Sequence, residues 1–154
     1  MLILFATKWR LKMISTKWVQ GINLEEVFKI RNLVFGNELN FDSSYIHDEY
    51  DSFGKNVLIY DSEKPVGTGR LIFKDGKYII DKICVLKEFR NNSYGELIIR
   101  MLVRKAFDIG AEKTYVCIEQ KFQKLFDKVG FIIVNCEDNL IMVKHGDVGG
   151  HCSR

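Results

Sequence analysis

Residues 90–95, Arg-Asn-Asn-Ser-Tyr-Gly, carry the clearest chemical signal in the chain. They follow a strand-like run, KYIIDKICVL, and lead without a break into an amphipathic stretch. The first turn of a helix has backbone N–H groups without intrahelical partners and a partial positive charge. A polar turn placed there can aim those donors at a phosphate or pyrophosphate. Gly95 permits close backbone approach. Arg90 can pair with a phosphate oxygen through two N–H groups, and Asn91, Asn92 and Ser93 can donate hydrogen bonds or cap the helix. A capped loop with no ligand is the other reading of the same spacing. Two other phosphate loops do not fit. G-x-x-x-x-G-K-[ST] is absent, and VGTGRLI lacks a third glycine and runs on as a strand. Gly67 and Gly69 therefore read as sites of close packing or a bulge.

The other chemistry-bearing residues form looser groups. Asp48, Glu49 and Asp51 cluster in the turn-rich segment NFDSSYIHDEYDSFGK, with His47 beside them. Such a cluster can attract a cationic amine and relay a proton, or it can be a set of solvated loop charges. The tail KHGDVGGHCSR offers His145, Asp147, His151 and Cys152, which are metal-ligand types. Its spacing lacks a second Cys or His pair, so the tail reads first as a packed or flexible end and second as a metal or thiol-responsive site. No metal site is predicted.

The remaining sequence must position these groups. At 154 residues with 47% apolar and 28% charged side chains, the chain suits one globular domain with one core. The net charge of +3 is spread along the chain and forms no basic stripe, which argues against nucleic acid as a partner. No apolar run is long enough to span a membrane. Cys84, Cys117, Cys136 and Cys152 lack CxxC spacing and read as free thiols of a cytoplasmic protein. Residues 1–12 read as an N-terminal extension, 13–144 as the domain and 145–154 as the tail.

Periodicity predicts the order β-α-(α)-β-β-β-α-β-α-β-β. STKWVQG is a strand with edge-like alternation. NLEEVFKIRNLVFGNEL is a helix, with Asn23 as its cap and Glu26 at the capping-box position. DSEKP and KDG join three strands. A helix from Tyr94 to about Ile109 ends at Gly110, and a second, QKFQKLFDKVG, ends at Gly130.

Order and motifs together resemble the GNAT superfamily of acyl-CoA-dependent N-acyltransferases, over roughly residues 14–144. The family's [RQ]-x-x-G-x-[GA] loop is matched at Arg90 and Gly95, with Ser93 in place of a glycine. KLFDKVGF resembles the family's x-L-Y-E-K-x-G-F. VFGNEL, DEYD and PVGTGRL are similar to spaced motifs of a subgroup of small bacterial GNATs.

The resemblance implies an α/β (α+β) fold: a mixed, mostly antiparallel sheet splayed between its fourth and fifth strands and flanked by helices. It implies acetyl-CoA as cosubstrate, with the pantetheine arm along Ile83, Cys84 and Val85. The pyrophosphate would sit over Arg90, Asn91, Asn92, Ser93, Tyr94 and Gly95, and Phe126 would lie beside the cofactor. An N–H of Cys84 or Val85 would polarise the acyl carbonyl. A small-molecule primary amine would attack directly, with Glu38 or Glu119 as base and Asp48, Glu49 and Asp51 drawing the amine in. Phe126 occupies the position where relatives place a tyrosine acid, which leaves Tyr94, Tyr115 or Cys84 as donors. It also opens a second reading, an acyl-CoA-binding protein without efficient turnover that acts through a partner. Dimerisation follows by analogy.

Overall fold

The computed structural model describes residues 13–148. The expected extension 1–12 and the tail residues His151 and Cys152 lie outside the described residues. Seven strands make one sheet: β1 (Ile14–Gln20), β2 (Lys55–Asp61), β3 (Lys64–Lys74), β4 (Lys77–Val85), β5 (Lys113–Ile118), β6 (Ile132–Cys136) and β7 (Leu140–His145). Their order is β1-β2-β3-β4-β5-β7-β6. All neighbours are antiparallel except β4 and β5.

Two hairpins build the N-terminal half. Ser62-Glu63 and Asp75-Gly76 each connect paired strands with positive φ at both residues. That geometry matches strand twist in two-residue turns. The expected strand trio is therefore observed.

Helices cover both faces. α1 (Glu25–Arg31) widens without a break into a π-helical stretch, Asn32–Glu38. The short α2 (Ser43–Ile46) follows. The predicted side-chain cap does not form: Asn23 takes a positive φ of 56°, and Leu24 precedes the helix without capping it. α3 (Tyr94–Asp108) and α4 (Gln123–Val129) pack on the opposite face. Both end as the sequence predicts, at Gly110 and Gly130 with positive φ. Ala111 and Phe131 N–H groups reach back five residues to Ala106 and Phe126 carbonyls.

The core is split by the sheet. Ile80, Ile98, Leu102, Val103, Phe126 and Met142 belong to the α3 side. Val27, Ile30, Phe35, Leu58, Cys84 and Leu86 belong to the α1 side.

β4 holds the decisive irregularity. Its pairing with β3 jumps from Thr68↔Cys84 to Arg70↔Asp81, so Lys82 and Ile83 stand opposite Gly69 alone. This is a β-bulge, with Lys82 at φ 51°. The extra residue flips the alternation of the strand. Ile80 faces α3; beyond the bulge Ile83 and Val85 face α3, while Cys84 and Leu86 face α1. β4 pairs with β5 only at Tyr78↔Thr114 and Ile79↔Tyr115. Past those residues the strands separate, which is the expected splay.

Gly69 is required by packing. A Cβ there would meet Ile98 Cγ2 at 2.6 Å and Leu102 Cδ1 at 2.8 Å. Gly69→Ala is expected to lower stability by about 1–3 kcal/mol, because α3 must move off the sheet. A urea unfolding curve measures this.

Candidate active site

The loop after β4 makes one turn over Lys87–Phe89, then passes through Arg90 to Ser93. Asn91 and Ser93 have φ of 64° and 62°. Ser93 thus adopts the left-handed conformation that a glycine takes most easily. Its side chain makes no cap, and its carbonyl accepts from Leu97 N–H at 3.1 Å. The first-turn N–H groups of Gly95 and Glu96 therefore have no intrahelical acceptor. Asn92 braces the turn from inside, donating to the carbonyls of Phe89 (3.0 Å) and Arg90 (3.3 Å).

Gly95 has an ordinary helical conformation, and a Cβ there would touch only Leu125, at 3.6 Å. The fold itself does not require glycine at this position, so the open space in front of it suits an outside group.

Arg90 does not point into the cradle. Its Nε donates to Val85 O at 3.0 Å, and its two terminal nitrogens grip both Glu38 oxygens at 2.6 Å. The fork ties the end of β4 to the end of the π-helical stretch. The Arg90 guanidinium holds the Glu38 carboxyl below its usual range, so Glu38 is a poor proton acceptor as it stands. Glu119, at the end of β5, is exposed and meets Lys121 at 3.3 Å.

The backbone of β4 separates two candidates that the sequence left equal. Leu86 N–H donates to Val66 O at 2.8 Å on β3. Backbone direction alternates along an antiparallel strand, so Cys84 also faces β3 and Val85 faces the gap toward β5. The Val85 carbonyl, taken by Arg90 from outside the ladder, agrees. The Cys84 side chain is buried under α1, and burial pushes its thiol up to about 12. It is neither a nucleophile nor a ready acid.

The other expected acids are also committed. Tyr94 is buried and its hydroxyl donates to Asp61 at 2.6 Å. Tyr115 sits at the closed end of the β4–β5 pair. Phe126 is a core residue, edge-on to Phe131 at 5.2 Å between ring centres, rather than an open wall of the gap.

The acidic trio has a different role from the one expected. Arg70, in the middle of β3, is 1% exposed. It donates through Nε and Nη2 to Asp81 at 2.8 Å each, through Nη1 and Nη2 to Asp48 at 2.5 and 2.9 Å, and through Nη1 to Asp51 at 3.0 Å. Arg31, fully buried on α1, donates to Asp51 at 2.8 Å, Asn56 at 2.8 Å and Ile46 O at 3.1 Å. Asp48 and Asp51 therefore neutralise buried arginines and are not presented to a cationic substrate. Glu49 alone of the three is exposed. Burial would raise both aspartates, but the arginines outweigh it and hold both below the usual carboxylate range. Arg31, Arg70, Asp81 and Lys82 were not singled out from sequence, although an arginine inside the apolar run VGTGRLIF was a visible cue.

A shallow groove lies at the far end of α3, lined by Trp18, Arg100, Met101, Arg104, Lys105 and Val148. Its cations are already engaged: Arg104 by Asp108 and Asp147, Arg100 by Glu96, and Lys105 over the Trp18 ring. Its lining includes no residue of β4, of β5 or of the loop before α3. Asp147, held by Arg104, is not poised as a metal ligand. Among the described residues no group of three His, Cys, Asp or Glu could hold an ion.

A split parallel strand pair with a helix N-terminus over it is one architecture, and the profile of the acetyltransferase (GNAT) family matches residues 24–131. The chain belongs to the GNAT acetyltransferase family. An N-acetyltransferase of Bacillus subtilis, YjcF, whose activity is uncharacterised, is 32% identical over 73% of this chain and 80% of its own. The fold also matches Escherichia coli ElaA, with a TM-score of 0.76 and 19% identity over 86% of this chain and 100% of that one. A third match is the PaiA N-acetyltransferase of Thermoplasma acidophilum, solved in complex with coenzyme A. It has a TM-score of 0.69 and 11% identity over 86% of this chain and 99% of that one. In this GNAT domain no helix among the described residues is long and apolar enough to cross a membrane.

Asp51 is shared by both buried arginines, so Asp51→Ala is expected to cost about 3–5 kcal/mol. The same network predicts acid sensitivity. The native-state pKa values of Asp48 and Asp51 lie below their unfolded values. Their contribution is therefore complete above the unfolded carboxylate range, near pH 4, and is lost as pH falls through the native values. Chemical denaturation at a series of acidic pH values reads both effects.

Proposed function

We propose that this protein transfers an acetyl group from acetyl-CoA to the primary amine of a small molecule, by direct attack with both substrates bound. The observation that carries the reading is the pairing of two features: first-turn N–H groups of α3 without intrahelical acceptors, and a Val85 backbone turned into the β4–β5 gap. The residues fit the cosubstrate. Gly95 and Glu96 N–H groups would hold its pyrophosphate, and Ile83 to Val85 would line its arm. The cosubstrate supplies the acetyl group as a thioester.

The residues of the chain then have distinct tasks. Val85 N–H donates to the carbonyl oxygen as negative charge develops there. Arg90 fixes the end of β4 by holding Val85 O and Glu38, which makes it a positioning residue. Glu119 takes the amine proton, directly or through water. Tyr94, Tyr115 and Cys84 present no acid to the gap, and none is needed to make departure feasible. A free thiol has a pKa of about 8.5, so the thiolate is a competent leaving group near neutral pH. The same absence favours a second reading, a GNAT that holds acyl-CoA without turning it over.

Release of free CoA thiol across a panel of amines tests the proposal. Amine-dependent release supports transfer, whereas saturable CoA binding with no release on any amine supports the second reading. Gly95→Leu is expected to raise the KM for acetyl-CoA at least about tenfold with little change in unfolding midpoint, since its side chain fills ligand space rather than core. An unchanged KM would contradict the cradle.

A further inference from the structure

We propose that Lys82 receives a carboxylate of the acceptor, so that the acceptor is an amine bearing both a carboxylate and an apolar side chain, as an apolar amino acid does. The inference rests on the amine-acetylation reading above and specifies its substrate class.

Lys82 is the extra residue of the β4 bulge, two positions before Cys84 and three before Val85. It is 8% exposed, yet its ammonium forms no hydrogen bond or ion pair among the described residues. The neighbouring carboxylates are engaged elsewhere: Asp48, Asp51 and Asp81 are gripped by Arg70 and Arg31. The contact that Lys82 does make is with the Tyr45 ring, whose centre lies 3.5 Å from Nζ. Arg31 Nε is the single side-chain nitrogen or oxygen both shut off from solvent and unbonded among the described residues. Lys82 Nζ, also unbonded, therefore still reaches solvent. A nearly buried ammonium with unused donors is costly, and an incoming anion restores what water no longer supplies.

The surroundings define the rest of the ligand. Tyr45 covers the ammonium at the bulge, three residues before the gap-facing Val85. Tyr45 packs edge-on against Phe41 at 4.8 Å and Phe35 at 5.3 Å between ring centres. Leu39, Phe41 and Tyr45 keep 45%, 39% and 45% of their surface exposed. They form an apolar wall beside the cation. A polyamine finds no free carboxylate pair here and meets a like charge instead.

The test is titration of the full-length, CoA-loaded protein with two product probes, N-acetylphenylalanine and N-acetylphenylalaninamide. The acid is expected to bind about tenfold tighter than the amide. Lys82→Met should erase that preference and Lys82→Arg should keep it, with Lys82→Gln as a second charge-removing variant should methionine disturb folding. Equal binding of acid and amide, no saturable binding of either, or a preference that survives loss of the charge overturns the inference. Loading with CoA is measured in the same experiment. Its failure would instead defeat the acetyltransferase reading, so the two are separable.

Discussion

One extra residue in β4 organises this molecule. Opposite Gly69 the strand carries both Lys82 and Ile83, and Lys82 accepts a left-handed conformation to allow it. Such a conformation costs of order 1–2 kcal/mol for a residue with a Cβ, and several consequences follow. The strand changes face, so Cys84 and Leu86 join the α1 core while Val85 joins the α3 core. Pairing with β5 stops after Ile79. The backbone of Val85 then faces an open gap, with the N-terminus of α3 just beyond it. The bulge makes the cleft, and the loop it leads into makes the turn before α3.

The second organising element is the buried ionic network. Arg70 uses all five of its N–H donors on three aspartates. A fully bonded arginine of this kind is tolerable in a core, whereas one deprived of a partner is strongly destabilising. Asp48 and Asp51 lie on the segment after α2, and Asp81 lies on β4. The network therefore fastens the wall that carries Tyr45 to the strand that carries the bulge. It also neutralises the acidic segment that reads from sequence as exposed, leaving Lys82 beside it as a cation without an ionic partner among the described residues.

Elements with local signatures were legible in the sequence. The Asp-Gly hairpin, the glycine stops at Gly110 and Gly130, and the amphipathic face of α3 need only nearby residues to specify them. The polar turn before α3 was legible as a turn, and Ser93 there adopts the left-handed conformation of the glycine it replaces. Side-chain destinations were not. Arg90 reads as a phosphate ligand, but its partner Glu38 lies 52 residues away in sequence. DEYD reads as an exposed acidic loop because Arg31 and Arg70, which bury it, come from two other elements. Cys84 and Phe126 were assigned by position in a motif, and only the tertiary packing shows both side chains inside the core. The π-helical widening after Arg31 likewise has no simple periodic mark.

The direction of two neighbouring amides decides how the β4–β5 gap works. Cys84 N–H should be held within the sheet and Val85 N–H should face the gap. Hydrogen exchange measured by NMR, with and without acetyl-CoA, distinguishes them. The expected result is slow exchange at Cys84 in both states, with Val85, Gly95 and Glu96 gaining protection only when acetyl-CoA is added. Protection of Val85 before ligand is added, or no change at Val85 on saturation, would contradict the account.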